Sequence, residues 1–284
     1  MPVLREAAAT ATDLACRAAG RAQVLRAARF VLRRAGLDVP NDMRTNGEAL
    51  LQRWILDLPR PGRKLHVIDV GANVGQWSAS MLATARQAAC PADLDLRAFE
   101  PSHGTCERLA AALRGEPVTI VPMAVGAETG TALLHVAAPG AGINSLHLPV
   151  VTLSESSTEE VLVTTLDRYA AQQALEHLTL IKVDTEGHDL AVLLGARALL
   201  AGHRISVAQF EYNHRWITAR RYLRDAFELL EPLGYRIGKL TPAGVEFYPG
   251  WDPDLETFTE GNYVACLSAV AGLLPSVAWW KSAS

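Results

Sequence analysis

From Lys64 onward, short apolar runs alternate with stretches of helical periodicity, and this alternation constrains the fold more than any other feature of the chain. Such a pattern reads as successive βαβ units building a mostly parallel sheet. Strands are predicted over residues 65–70, 95–99 and 118–123, with helices over 76–88 and 103–113 between them. Residues 126–166 interrupt the alternation: two β-like runs, 132–136 and 161–165, bracket a loop containing Gly, Ser and Pro, which reads as an inserted β-hairpin near the site. The alternation resumes with helix 166–174, strand 178–183, helix 190–200, strand 205–210 and helix 219–233. Runs at 235–240, 245–247 and 263–267 then close the sheet with an antiparallel edge. The expected class is α/β and Rossmann-like, a mostly parallel seven-stranded sheet with helices on both faces.

Ahead of this region, Leu14, Ala18, Leu25, Ala28, Leu32 and Ala35 recur at helical spacing around Arg17, Arg26 and Arg33, predicting one or two amphipathic helices over 3–36. A helical extension packed on the domain or on a second subunit is the expectation, with a homo-oligomer formed through these helices, rather than a basic helix lying on a membrane. Gly36 and Pro40 end it, and a further helix is predicted over 46–57, stopping before Pro59. The expected organisation is an extension over 1–60, a catalytic domain over 61–270 and a tail over 271–284. The run 264–280 is interrupted by Ser268, Gly272 and Pro275, so no membrane span is expected. A net charge of -3 supplies no general attraction for nucleic acid. Four scattered cysteines show neither zinc-ligand spacing nor a disulfide framework, and no signal-peptide pattern opens the chain, so a cytoplasmic location is expected.

The segment VIDVGANVGQW, Val67 to Trp77, carries the most chemistry: a buried strand ends in a glycine turn that opens a helix. Gly71 and Gly75 let the backbone turn sharply and approach a ligand, and Asn73 tolerates the unusual dihedrals of such turns. Glu100 ends the next strand, where a carboxylate can accept both hydroxyls of a ribose. A dinucleotide fingerprint needs a glycine where Asn73 stands. Asp69 also suits a methyl donor's amino group better than a pyrophosphate, which it would repel. A nicotinamide oxidoreductase and a non-catalytic binding scaffold are the alternatives.

Together with AFEPS, the strand-end MAVG, VTTLD and KVDTEGHD, this turn resembles the FkbM family of S-adenosylmethionine-dependent methyltransferases over roughly residues 64–267. The resemblance implies the class I methyltransferase fold, with Asp69, Gly71, Asn73 and Gly75 cradling the methionine and ribose portions of the donor. It further implies that Glu100 holds the ribose, Ser102 lies close to the adenosine, and Met123 and Ala124 lie along the adenine. A small-molecule hydroxyl, on a sugar, polyketide or other natural product, is the implied acceptor.

Two strand-end clusters offer groups for the acceptor's proton: Asp184, Glu186 and His188 after one strand, Glu211 and His214 after the next. His188 leads as general base if a neighbouring carboxylate raises its pKa, though it could equally cap the helix that follows. Asp184 could contact the donor, bind the acceptor or act as base, and Glu186 and Glu211 could share those roles. Asp184, Glu186 and Glu211 could also hold a divalent cation. The DTEG strand end lacks the Asn/Asp-Pro-Pro-aromatic run of many amino-group methyltransferases, so oxygen is the preferred acceptor atom. Asn144 and Ser145 in the hairpin, with Tyr212, His214 and Trp216, could shape the acceptor pocket.

Overall fold

The computed structural model describes residues 2–90, 93–136, 144–147 and 157–281. It divides into two compact units, Met1–Pro40 and Asn41–Ser284. The first unit consists of helices α1 (Pro2–Ala19) and α2 (Arg21–Ala35), joined at Gly20, whose φ of 86° ends one helix and starts the next.

The second unit begins with α3 (Glu48–Trp54) and a 3-10 turn, Ile55–Asp57, and then alternates: β1 (Leu65–Val70), α4 (Gln76–Gln87), β2 (Leu94–Phe99), α5 (His103–Ala112) and β3 (Val118–Val121). Next come β4 (Ala124–Val125), β5 (Gly130–Val136), β6 (Ser157–Thr164), α6 (Leu166–Gln172), β7 (Leu178–Val183), α7 (Asp189–Leu194), α8 (Arg197–Ala201) and β8 (Ile205–Tyr212). The chain closes with α9 (Leu223–Leu230), β9 (Tyr235–Thr241), β10 (Gly244–Phe247), β11 (Gly261–Leu267), α10 (Ser268–Ala271) and β12 (Ser276–Val277).

The main sheet runs β12-β10-β9-β11-β8-β7-β1-β2-β3. Strands β3, β2, β1, β7 and β8 are parallel, and β11 inserts antiparallel between β8 and β9. The sheet therefore has nine strands rather than seven, because β10 and β12 extend its edge beyond β9. Successive residues point to opposite faces. Val67, Leu180 and Val207 pack in one core layer while Ile68, Ile181 and Ala208 pack in the other, which is why these strands read as mostly apolar runs without polar alternation. The chain leaves β1 in one direction through β2 and β3 and returns through β7 and β8 on the other side. Their carboxyl ends therefore flank a topological switch point, the place where open α/β sheets bind ligands.

Several expectations change in detail. The hairpin pairs β5 with β6 antiparallel but also recruits β4 beside β6, forming a separate three-stranded sheet, so β3 stops at Val121 instead of 123. The helix expected over 190–200 breaks at Gly195, where an added Cβ would lie 2.0 Å from the Gly126 carbonyl oxygen. Asp167 of the VTTLD run accepts the Ala198 and Leu199 N–H groups at 2.8 and 2.9 Å, capping α8, and Thr165 caps α6 through the Arg168 N–H. That motif is thus a fold element here. The helix expected from 219 starts at Leu223, since Arg220 is left-handed at φ 54° and Asp225 closes the first turn on the Tyr222 N–H.

The unit boundary falls after Pro40 rather than near residue 60. Leu51 and Ile55 are wholly buried in the core layer of Val67, Gln52 donates to the Trp77 carbonyl, and Glu48 accepts from Gln209. At the other end, β12 pairs with β10 and Trp279 packs edge-on against Tyr248, so residues 271–281 are part of the unit instead of a tail.

Candidate active site

At the switch point, β1 ends in the glycine turn. Gly71 has φ 79° and Asn73 φ 47°, both left-handed, and Gly75 at φ 85° precedes α4. The glycines are demanded by packing: a Cβ on Gly71 would sit 1.9 Å from the Asp184 carbonyl oxygen, and one on Gly75 would sit 2.7 Å from Leu109 Cδ1. The turn is fastened by Glu100, one of whose oxygens accepts the Asn73 N–H and the other the Ser102 N–H, each at 3.0 Å. Burial pushes the Glu100 carboxyl up to about 7 despite these bonds. Glu100 thus both fastens the turn and lines the first cavity.

Two cavities meet across the turn. The first, of about 690 Å³, is walled by Phe99, Glu100, Met123, Ala124, Leu134, Asn144, Ser145, Thr185, Glu186 and His188. The second, of about 610 Å³, is walled by Asn41, Met43, Glu48, Gln76, Trp77 and Lys182. Gly71, Asn73 and Asp184 line both. Three buried polar atoms on these walls lack a partner among the described residues: Asn73 Oδ1, Thr185 Oγ1 and Trp77 Nε1. Groups of this kind point to a polar ligand, because an unmet buried donor or acceptor is costly.

Asp184 owes its position to Lys182, whose buried ammonium lies 3.4 Å from Asp184 Oδ2 and 3.3 Å from Asp69 Oδ1. Burial works against the charge, but Asp69, Asp184 and Glu48 outweigh it and raise the lysine's pKa. Asp69 is fully buried, also accepts from Ser78 Oγ at 2.7 Å, and lies behind the cavity walls. Lys182 was not among the residues expected at the site, although a lysine inside the mostly apolar LTLIKV strand was a signal. Asn41 and Glu48 had no comparable signal.

His188 differs from its expected state. Its Nδ1 lies 3.1 Å from His147 Nε2, and no carboxylate pairs with it among the described residues. Burial, with His147 adding to it, pushes the imidazole down to about 4, so the ring is neutral at neutral pH. Its side chain does not cap α7; Asp189 closes that turn by accepting the Gly187 and Thr185 N–H groups. Glu186 pairs with Arg215 at 2.7 Å, yet burial and the charge of Asp184 push it up to about 8.

Glu211 lines neither cavity. Asn41 and Asn213 side-chain amides donate to its two oxygens at 3.0 and 2.5 Å, and burial raises its pKa well above the ordinary range. With Asp184 on Lys182, Glu186 on Arg215 and Glu211 on two amides, the three carboxylates do not fit a shared cation. Among the described residues no group of three His, Cys, Asp or Glu side chains could hold a metal ion. Tyr212 and Trp216 are wholly buried core residues, Tyr212 bonding to Glu256 and Trp216 to the Glu211 carbonyl, while His214 is exposed. These three do not shape the pocket. Asn144 and Ser145 line the first cavity, and Ser145 Oγ donates to the Glu186 carbonyl at 2.9 Å.

A model of the methyltransferase FkbM domain matches residues 69–237, more than half of the chain. The chain belongs to the FkbM methyltransferase family. Its match spans the glycine turn, the strand-end acid, the hairpin and the Asp184 cluster, so both FkbM cavities are walled largely by the matched region, with Asn41, Met43 and Glu48 added from outside it. Among solved structures it is similar to the FkbM methyltransferase of Methylobacillus flagellatus KT, at 18% identity and a TM-score of 0.46, over 73% of this chain. The chain spans 45% of the length of that protein. It is also similar to precorrin-6y C5,15-methyltransferase from Geobacter metallireducens GS-15, at 13% identity and a TM-score of 0.39, over 78% of this chain and 87% of that one. No curated protein matches it in sequence.

Proposed function

We propose that this FkbM domain is an S-adenosylmethionine-dependent O-methyltransferase acting on a hydroxyl of a small molecule such as a sugar or polyketide. The observation that carries the reading is the meeting of two unlike cavities at Asp184. The first suits a nucleoside: Phe99, Met123 and Ala124 offer apolar faces, and each Glu100 oxygen keeps a lone pair for a ribose hydroxyl. The second suits an amino-acid group, with Trp77 Nε1 and Lys182 as donors, Asn73 Oδ1 as acceptor, and Asp184 as the anion at the junction facing the donor's cationic part.

When bound, S-adenosylmethionine supplies an electrophilic methyl group. The chain's residues must then hold the acceptor oxygen in line and take its proton. Asn144 and Ser145 position the acceptor against His188, whose neutral ring takes the proton while Nδ1 stays beside His147. Glu186 is held on Arg215, which leaves Asp184 as the carboxylate at the junction of the two cavities.

Two outcomes test these roles. Replacing Glu100 by alanine should weaken donor binding by about 1.5–3 kcal/mol, the range for bonds to a charged group, as read by calorimetry. Because Glu100 ionises near pH 7, donor affinity should also rise from pH 6 to pH 8 in the parent protein and not in the variant. Unchanged affinity in Glu100→Ala removes the ribose assignment. For His188, kcat should stay level between about pH 5.5 and 7.5, since its proton is already lost near pH 4, and His188→Ala should lose about 10²–10⁴-fold in kcat. A kcat that climbs tenfold per pH unit around 6.5 would assign the proton to another group.

A further inference from the structure

We infer that α2 is a docking face for an anionic lipid bilayer. Its fifteen residues contain five arginines, Arg21, Arg26, Arg29, Arg33 and Arg34, and no acidic residue. The chain's 27 Lys and Arg include these five, leaving 22 against 30 Asp and Glu elsewhere, so positive charge is segregated onto this one helix of an otherwise acidic chain. At 100° per residue, Val24, Leu25, Ala28, Val31 and Leu32 share one face, which Arg21 joins at its first turn, while Arg26, Arg29 and Arg33 form a stripe along one side of that face and Phe30 lies opposite it.

That apolar face is open: Leu25, Val31 and Leu32 are 50%, 62% and 70% exposed, and no residue of α2 is buried. A strongly two-faced helix with low average hydrophobicity and an arginine-rich polar side is the pattern that lies in the plane of a membrane interface, its arginines reaching up to lipid phosphates. Among the described residues no helix is long and apolar enough to cross a membrane, so the contact is peripheral. A second copy of the chain fits less well. A helix about 22 Å long, with five large apolar side chains of which Phe30 faces away from the other four, offers far less than the roughly 1,200 Å² of a stable interface. A nucleic acid would satisfy the arginines but leave Leu25, Val31 and Leu32 in water.

The test uses the full chain in vesicle flotation, with phosphatidylcholine alone and with about one third phosphatidylglycerol added. Partition should be about tenfold or more stronger on the anionic vesicles and should fall by a similar factor between about 0.05 and 0.5 M NaCl. Arg26→Glu/Arg29→Glu/Arg33→Glu and, separately, Leu25→Ser/Val31→Ser/Leu32→Ser should each abolish it while leaving the thermal transition of the second unit in place. Equal partition onto both vesicle types, binding to single-stranded RNA without binding to vesicles, or a stable dimer that ignores vesicles would each overturn the inference.

Discussion

Asp184→Ala should cost this protein more function than any other single cavity substitution, with donor affinity down about 10–200-fold and turnover down a further 10²–10³-fold. Two effects act together. The carboxylate facing the donor's positive charge disappears, and Lys182, 3.4 Å away and deeply buried, keeps only Asp69 as a direct counter-ion. The cavity wall turns from anionic toward cationic beside a cationic ligand. Asp184→Asn keeps the volume and should recover little, because the loss is one of charge. Its side chain is about one third exposed, so the melting temperature should move far less than the affinity. Calorimetry with S-adenosylmethionine alongside thermal denaturation separates the two, and a variant with normal affinity and a collapsed fold would make Asp184 a structural residue only.

The second large effect is on stability. Gly71→Ala places a methyl group 1.9 Å from the Asp184 carbonyl oxygen and 2.9 Å from its carbon, in a residue at φ 79°. Neither backbone can yield easily: the Gly71 N–H is bonded to the Phe99 carbonyl and the Asp184 N–H to the Val70 carbonyl, both at 3.0 Å. Left-handed strain of about 1–2 kcal/mol adds to the cost of parting β1 from β7, for a total above about 4 kcal/mol. Gly115→Ala is the control, since Gly115 has φ 81° but nothing within 4 Å of an added Cβ, and should show the strain alone. Denaturant midpoints that agree for the two variants would show that the turn is not held as described.

The parallel half of the fold was legible because its central strands are buried on both faces. The predicted limits of β1 and β7 match the structure residue for residue, as β7 is buried throughout and β1 everywhere but at His66. Helices α7 and α8 were read as one because the break depends on Gly126, nearly seventy positions before Gly195, and on the Asp167 cap. The same limit applies to the site. Residues set by the strand-to-turn pattern, Gly71, Asn73, Glu100, Met123, Ala124, Asp184, Glu186 and His188, come together on one cavity wall. Tyr212 and Trp216 do not, since an aromatic lining a pocket and one filling a core look alike in sequence. The protonation of His188 also escaped, because it is set by burial and by His147, forty-one positions away. Asn41 reaching Glu211, 170 positions on, shows how far the contacts extend that periodicity cannot see.

The most direct measurement is a calorimetric titration of the protein with four ligands: S-adenosylmethionine, S-adenosylhomocysteine, methylthioadenosine and NAD. If the ligand spans both cavities through the junction at Asp184, the first two should bind, and methylthioadenosine, which has the nucleoside but no amino-acid half, should bind about tenfold or more weakly. NAD should show no heat of binding. Tighter binding of NAD than of S-adenosylmethionine, or methylthioadenosine binding as tightly as S-adenosylhomocysteine, would contradict the two-cavity account.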